Sequence, residues 1–127
     1  MIRRLIILLL IVGCVTESED CVGVILWNIC YDIEETTKLD LYNSGLSGEI
    51  PREIGKLTNL TQLNLSKNQL SGEILPEIGN LTNLTFLKLT DNQLTGQIPQ
   101  QVCDWMESIN LSMGSIINGN NLTNTCE

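Results

Sequence analysis

LDLYNSGLSGEIPREIGKLTNLTQ at residues 39–62 is followed at once by LNLSKNQLSGEILPEIGNLTNLTF at residues 63–86, and 15 of the 24 positions are identical. A third copy begins at Leu87. Leu, Gly, Ile and Asn recur at a fixed spacing of 24 residues, in a unit too small to bury its own apolar face. The repeat therefore predicts a solenoid in which each coil is covered by its neighbours.

Within each copy, Leu-x-Leu at 39/41, 63/65 and 87/89 has the period of two expected of a short strand with one buried face. Ser44, Asn68 and Asn92 follow, and an Asn amide at that point can bond backbone groups where the chain turns out of the strand. Stacked coils would align these amides into a ladder that Ser44 starts weakly. Gly48, Gly72 and Gly96 permit the next bend, and Pro51, Pro76 and Pro99 then discourage a regular helix. The returns at 53–60 and 77–84 are predicted as single helical turns or 3₁₀ segments.

The run L-x-x-L-x-L-x-x-N-x-L-x-G-x-I-P, met from Leu60 with Leu75 in its last place and in full from Leu84, resembles the plant-type leucine-rich repeat, found also in many bacterial surface proteins. The resemblance covers about 39–113. It implies an α/β solenoid: a right-handed stack of coils with a short parallel sheet on its concave face, a mostly irregular or 3₁₀ convex side, and disulfide-stapled caps. It also implies binding rather than catalysis. Trp27, three residues before Cys30, is similar to the tryptophan-cysteine pairing of the family's N-terminal cap, where the indole packs against the first coil. The third copy departs from the pattern at Cys103-Asp104-Trp105, where Gly-x-Leu is expected. Leu111 and Met113 fall on the strand positions of a fourth coil, with Ile116 in place of the ladder Asn, and 103–126 reads as a C-terminal cap closed by its disulfide.

At the other end, MIRRLIILLLIVG carries two arginines and then an apolar run from Leu5 to Val12 that is too short for a permanent membrane span. It reads as a cleaved export signal. Ile11-Val12-Gly13-Cys14 resembles the lipobox of bacterial lipoproteins, which implies acylation of Cys14 and a lipid anchor. The plain alternative is a signal peptide cut a few residues later. Five cysteines is an odd number for an exported chain, and a lipidated Cys14 would leave Cys21, Cys30, Cys103 and Cys126. Four cysteines allow three connectivities, but the two caps sit at opposite ends of a stack with strands about 4.8 Å apart. A bridge needs Cα atoms within about 7 Å, so Cys21–Cys30 and Cys103–Cys126 are the expected pairs, in an oxidising compartment. The competing possibility is four small buried hydrophobes. The expected organisation is a leader at 1–13, an acidic tether at 14–20, an N-terminal cap at 21–38, repeats at 39–102 and a C-terminal cap at 103–127.

From Cys14 onward the chain has five basic residues, Lys38, Arg52, Lys56, Lys67 and Lys88, against 15 acidic ones, a side-chain charge of −10. No basic stripe exists to neutralise phosphates, so nucleic acid is excluded as a partner. The chain has no histidine, which removes the commonest general base. Glu49, Glu53, Glu73 and Glu77 recur with the repeat and read as solvated acidic rows, so no enzyme activity, metal or cofactor is predicted.

Counting alternation from the buried leucines places Lys38, Asp40 and Tyr42 on the concave face. Gln62, Asn64, Ser66 and Lys67 follow from the second coil, and Phe86, Lys88, Thr90 and Asp91 from the third. Tyr42, Asn64, Lys67, Phe86, Lys88 and Asp91 are the candidate ligand-binding residues, with Phe86 foremost because the equivalent position in the previous copy is Gln62. Six Asn-x-Ser/Thr sequons occur, at Asn59, Asn64, Asn80, Asn83, Asn110 and Asn121, most of them products of the repeat itself. The expectation is a monomeric, exported, surface-anchored module that binds a protein or glycan. The alternatives are a structural spacer or adhesion unit of the cell envelope, and an enzyme inhibitor similar to the plant polygalacturonase inhibitors of this repeat class.

Overall fold

The computed structural model describes residues 21–126. The leader, Cys14, the tether and Glu127 lie outside the described residues. The described chain opens with an antiparallel hairpin, β1 (Val24–Leu26) and β2 (Ile29–Tyr31), in register Leu26↔Ile29. Its two-residue turn, Trp27-Asn28, has φ of 48° and 68° at the two positions, the signs that a tight hairpin needs to match strand twist. Asn tolerates that region, and Trp27 is held in it by packing against the core. Cys21 and Cys30 are disulfide-bonded across the hairpin, their Cα atoms 5.6 Å apart.

The three Leu-x-Leu segments form β3 (Lys38–Asp40), β5 (Gln62–Asn64) and β7 (Phe86–Lys88), a parallel sheet in that order. Its rows repeat the sequence period: Lys38↔Gln62↔Phe86, Leu39↔Leu63↔Leu87 and Asp40↔Asn64↔Lys88. The leucine row is buried, and Leu65 and Leu89 lie fully buried just beyond the strands. In the next residues Asn43, Lys67 and Asp91 adopt φ of 51°, 56° and 58°, so the chain swings out of the sheet at the same place in every coil.

The ladder follows that swing. Asn68 Oδ1 accepts the backbone N–H groups of Ser44 and Leu46, both at 3.0 Å, and Asn68 Nδ2 donates to the carbonyls of Leu41 and Leu65 at 2.9 Å. Asn92 repeats the pattern one coil on, accepting from Leu70 N–H and donating to the Leu65 and Leu89 carbonyls. The expected architecture lacks one element, which comes before the returns. Past each rung the chain enters a second parallel sheet, β4 (Ser47–Glu49), β6 (Gln69–Gly72), β8 (Gln93–Gln97) and β9 (Asn121–Thr123). The Asn amides fix the approach of one coil to the next, and Gly72, with φ of 77°, supplies the left-handed bend within that sheet.

The returns proper are 3₁₀ helices, Arg52–Lys56 and Pro76–Asn80. They stack closely at glycine: a Cβ on Gly55 would stand 2.8 Å from the Glu77 carbonyl oxygen. In the third coil Cys103 takes the glycine's place and the return becomes an α-helix, α1 (Gln100–Ser108). Cys103 is bonded to Cys126, with Cα atoms 5.4 Å apart.

The fourth coil also corrects the reading from sequence. Leu111 and Met113 do not form a strand; a short helix, α2 (Gly114–Ile117), stands where the next strand would be. Its backbone completes the sheet edge, since the Ser115 carbonyl accepts from Leu89 N–H at 2.8 Å and the Asn118 carbonyl from Asp91 N–H at 2.9 Å. Ile116 is fully buried. The ladder residue is Asn120, which accepts from Leu94 N–H at 3.1 Å and donates to the Leu89 and Ile116 carbonyls at 2.8 Å.

Because the Cys103–Cys126 bond pins the segment after β9 to α1, Cys126→Ser should lower stability by about 2 to 4 kcal/mol. Thermal unfolding of the oxidised protein reads the effect. A midpoint equal to that of the unsubstituted chain would remove the bond from the list of what holds the end coil.

Candidate functional site

The solvent face of the β3–β5–β7 sheet is set by the buried leucine row: residues on either side of Leu39, Leu63 and Leu87 point away from the core. Lys38, Gln62 and Phe86 make one row, and Asp40, Asn64 and Lys88 the next. Phe86 is 43% exposed and Tyr42 48%, two of the few large apolar side chains so open to solvent. Lys67 Nζ lies 5.7 Å from the centre of the Tyr42 ring, a cation–π distance.

Some expected site residues do not serve as expected. Ser66 and Thr90, placed outward by alternation, are buried, at 1% and 8% exposure. Alternation fails because β5 and β7 end at Asn64 and Lys88, before the left-handed residues turn the chain. Ser66 Oγ instead donates to Asn64 Oδ1 at 2.6 Å, and Ser66 N–H donates to the same oxygen at 3.1 Å, so half-buried Asn64 is committed to its own turn through that atom. Asp91 is exposed but its carboxylate leans onto Gly119, toward the fourth coil. Phe86 and Tyr42 are not neighbours: two strand spacings and four residues separate them, roughly 16 Å. The sheet brings together two smaller pairs, Phe86 with Lys88 on β7, and Tyr42 with Lys67.

The acidic rows also acquire a local role. Glu49 lies over Gly72 and Glu73 over Gly96, close enough that a Cβ on either glycine would meet the carboxylate chain. Among the described residues no group of three or more Cys, Asp or Glu is placed to hold a metal ion. Two of the sequons are structural: Asn59 and Asn83 donate to the Glu34 and Thr58 carbonyls at 3.0 and 2.8 Å, while Thr61 and Thr85 hydroxyls donate to the Thr37 and Thr61 carbonyls. This second, threonine-bearing ladder was hidden in the sequence by its identity with a glycosylation signal. Burial pushes the Tyr31 phenol up from its ordinary pKa at the N-terminal hairpin.

The family described as Leucine Rich Repeat matches residues 35–57, 59–81 and 83–105. No curated protein gives a significant match. Among solved structures, the BIR3–SERK2 complex from Arabidopsis thaliana is similar over 71% of this chain and 45% of that one, at 34% identity and a TM-score of 0.62. The PEPR1–AtPEP1 structure is similar over 67% of this chain and 11% of that one, at 42% identity and a TM-score of 0.58. The plant peptide hormone receptor RGFR1 in complex with RGF2 is similar over 74% of this chain and 15% of that one, at 34% identity and a TM-score of 0.54. The chain thus spans less than half the length of each structure.

Proposed function

The chain belongs to the leucine-rich-repeat family, and we propose that it is a non-catalytic, exported binding module that recognises a peptide or protein with the open face of the β3–β5–β7 sheet. The observation that carries this reading is the pair of exposed rings, Phe86 and Tyr42, each with a lysine beside it on a sheet whose other face is fully packed. A rigid sheet presents such groups at low entropic cost, which is what a recognition surface needs. Two disulfides suit an oxidising compartment outside the cytoplasm. The similar structures BIR3–SERK2 and RGFR1–RGF2 are themselves complexes, and the second receptor is a peptide hormone receptor by description. Three strands of three residues offer little area against the roughly 800 Å² per partner of a stable interface. Binding is accordingly weak or multivalent.

The exported protein should be probed against peptide, protein and glycan arrays. For a ligand so found, Phe86→Ala with Lys88→Ala should weaken binding at least tenfold, about 1.4 kcal/mol, with the fold unchanged by circular dichroism. Arg52→Ala with Lys56→Ala, on the first return, should leave affinity unaltered. An affinity that ignores the first pair and falls with the second would move the binding face to the returns. An array with no hit would favour a structural spacer.

A further inference from the structure

Charge is distributed unevenly over this molecule. Of the five basic residues at 21–126, three stand on the β3–β5–β7 face or the turn that leaves it: Lys38, Lys67 and Lys88. The same face holds two acids, Asp40 and Asp91, a net +1. Elsewhere in the described chain nine acids meet only Arg52 and Lys56, a net −7. Each of the two aspartates of the face also has a local neighbour. Asp40 Oδ1 accepts the Tyr42 N–H at 3.2 Å, and the Asp91 carboxylate leans onto Gly119. What the face offers to solvent is three ammonium groups, two carboxylates and two aromatic rings, a positive balance on a molecule that is otherwise strongly acidic.

We infer that the partner of this face is an acidic, extended peptide segment whose carboxylates and apolar side chains alternate along one of its faces, taken by Lys38, Lys67 and Lys88 with Phe86 and Tyr42 between them. The inference rests on the binding reading above and specifies its ligand. Lys88 is two strand spacings and two residues from Lys38, roughly 12 Å, and one spacing and three residues from Lys67, roughly 11 Å. An extended peptide rises about 3.3 Å per residue and its side chains share a face at every second position, so carboxylates four residues apart, roughly 13 Å, bridge Lys88 to either neighbour. Phe86 lies two residues from Lys88 on the same face, and Tyr42 lies under Lys67, so apolar side chains of the ligand meet rings where its acids meet lysines. The acidic remainder of the protein does not cancel this attraction. Exposed charges are screened over about 8 Å at physiological salt, whereas the lysines act in direct contact. A polyuronate would also bring carboxylates, but its evenly spaced polar rings have no apolar side chain for Phe86.

The test is a displayed library of random twelve-residue peptides selected on the full exported protein, with oligogalacturonate assayed in parallel. Selected peptides should be enriched in Asp or Glu at a spacing of four, with an aromatic or aliphatic residue midway, so that all three face the sheet. Their affinity should fall at least tenfold in Lys38→Gln/Lys67→Gln/Lys88→Gln, and with added salt, while the melting temperature of that variant stays unchanged. Single Lys→Gln variants serve if the triple variant is unstable, each expected to weaken binding severalfold. Peptides without acidic bias that bind through Phe86 and ignore the lysines would overturn the acidic partner and leave the binding reading standing. Tighter binding of oligogalacturonate would overturn the peptide class. A library that yields no binder to this face would overturn both.

Discussion

Asn68→Ala should cost about 3 kcal/mol, the largest loss expected of any polar substitution in this chain. The side chain is 8% exposed and makes five hydrogen bonds to backbone: from Ser44 N–H and Leu46 N–H, and to the carbonyls of Leu41, Leu65 and Ser66. A net contribution of about 1 kcal/mol per bond would overstate the total, because partly exposed Ser44 and Leu41 can turn to water. The Leu65 carbonyl keeps Asn92 Nδ2 and the Ser66 carbonyl keeps Asn43 N–H, so the group left without a replacement is the half-buried Leu46 N–H, and a buried polar group left without a partner costs about 1 to 3 kcal/mol. Asn68→Asp is an informative companion, since it keeps the acceptor, loses both donors and aims a charge at carbonyl oxygens. It should be no milder than alanine. Asn120→Ala should cost less, since its side chain makes three such bonds and sits in the last coil. Urea unfolding midpoints give the ranking, and an Asn68→Ala midpoint matching that of the parent chain would show that the ladder holds nothing together.

The ladder is also the clearest measure of how far sequence alone could go. Asn68 and Asn92 were legible because both keep the 24-residue spacing and the frame Asn-Gln-Leu. Asn120 keeps the frame, as Asn-Asn-Leu, but comes 28 residues after Asn92. The four extra residues are absorbed where α2 replaces a strand, and a fixed period passes over them and lands on Ile116. A search for Asn-x-Leu without a fixed period would have found the rung. The second sheet was less accessible. Ser-Gly-Glu in β4 has no apolar alternation and a glycine at its centre, so nothing local marks it as a strand; its pairing comes from stacking, which is a property of neighbouring coils. The candidate site divides in the same way. Phe86 and Tyr42 stand out by comparison with equivalent repeat positions, and both are exposed. The commitment of Asn64 to Ser66, and of Asp91 to the side of Gly119, depends on left-handed residues after the strands that no period of two describes.

Leu65→Ala should be the most damaging single truncation, at about 2 to 5 kcal/mol. Leu65 is 0% exposed and lies in the middle coil, so Leu41 on one side and Leu89 on the other are its stacked equivalents. Its N–H donates to the Lys88 carbonyl at 2.9 Å, and its carbonyl accepts from both Asn68 and Asn92. A cavity here therefore opens beneath two rungs at once. In a globular core neighbouring elements can relax inward from several directions, but a coil in a stack is held by its own ladder and by the coils above and below. Little collapse is available, which favours the upper half of the range. Leu65→Met keeps most of the volume and should cost less than about 1.5 kcal/mol. Gln62→Ala, on the exposed side of β5, the strand that leads into Leu65, should be nearly silent. If Leu65→Ala and Gln62→Ala unfold at the same urea concentration, the assignment of which face of β5 is buried is wrong, and the binding face drawn from it is wrong with it.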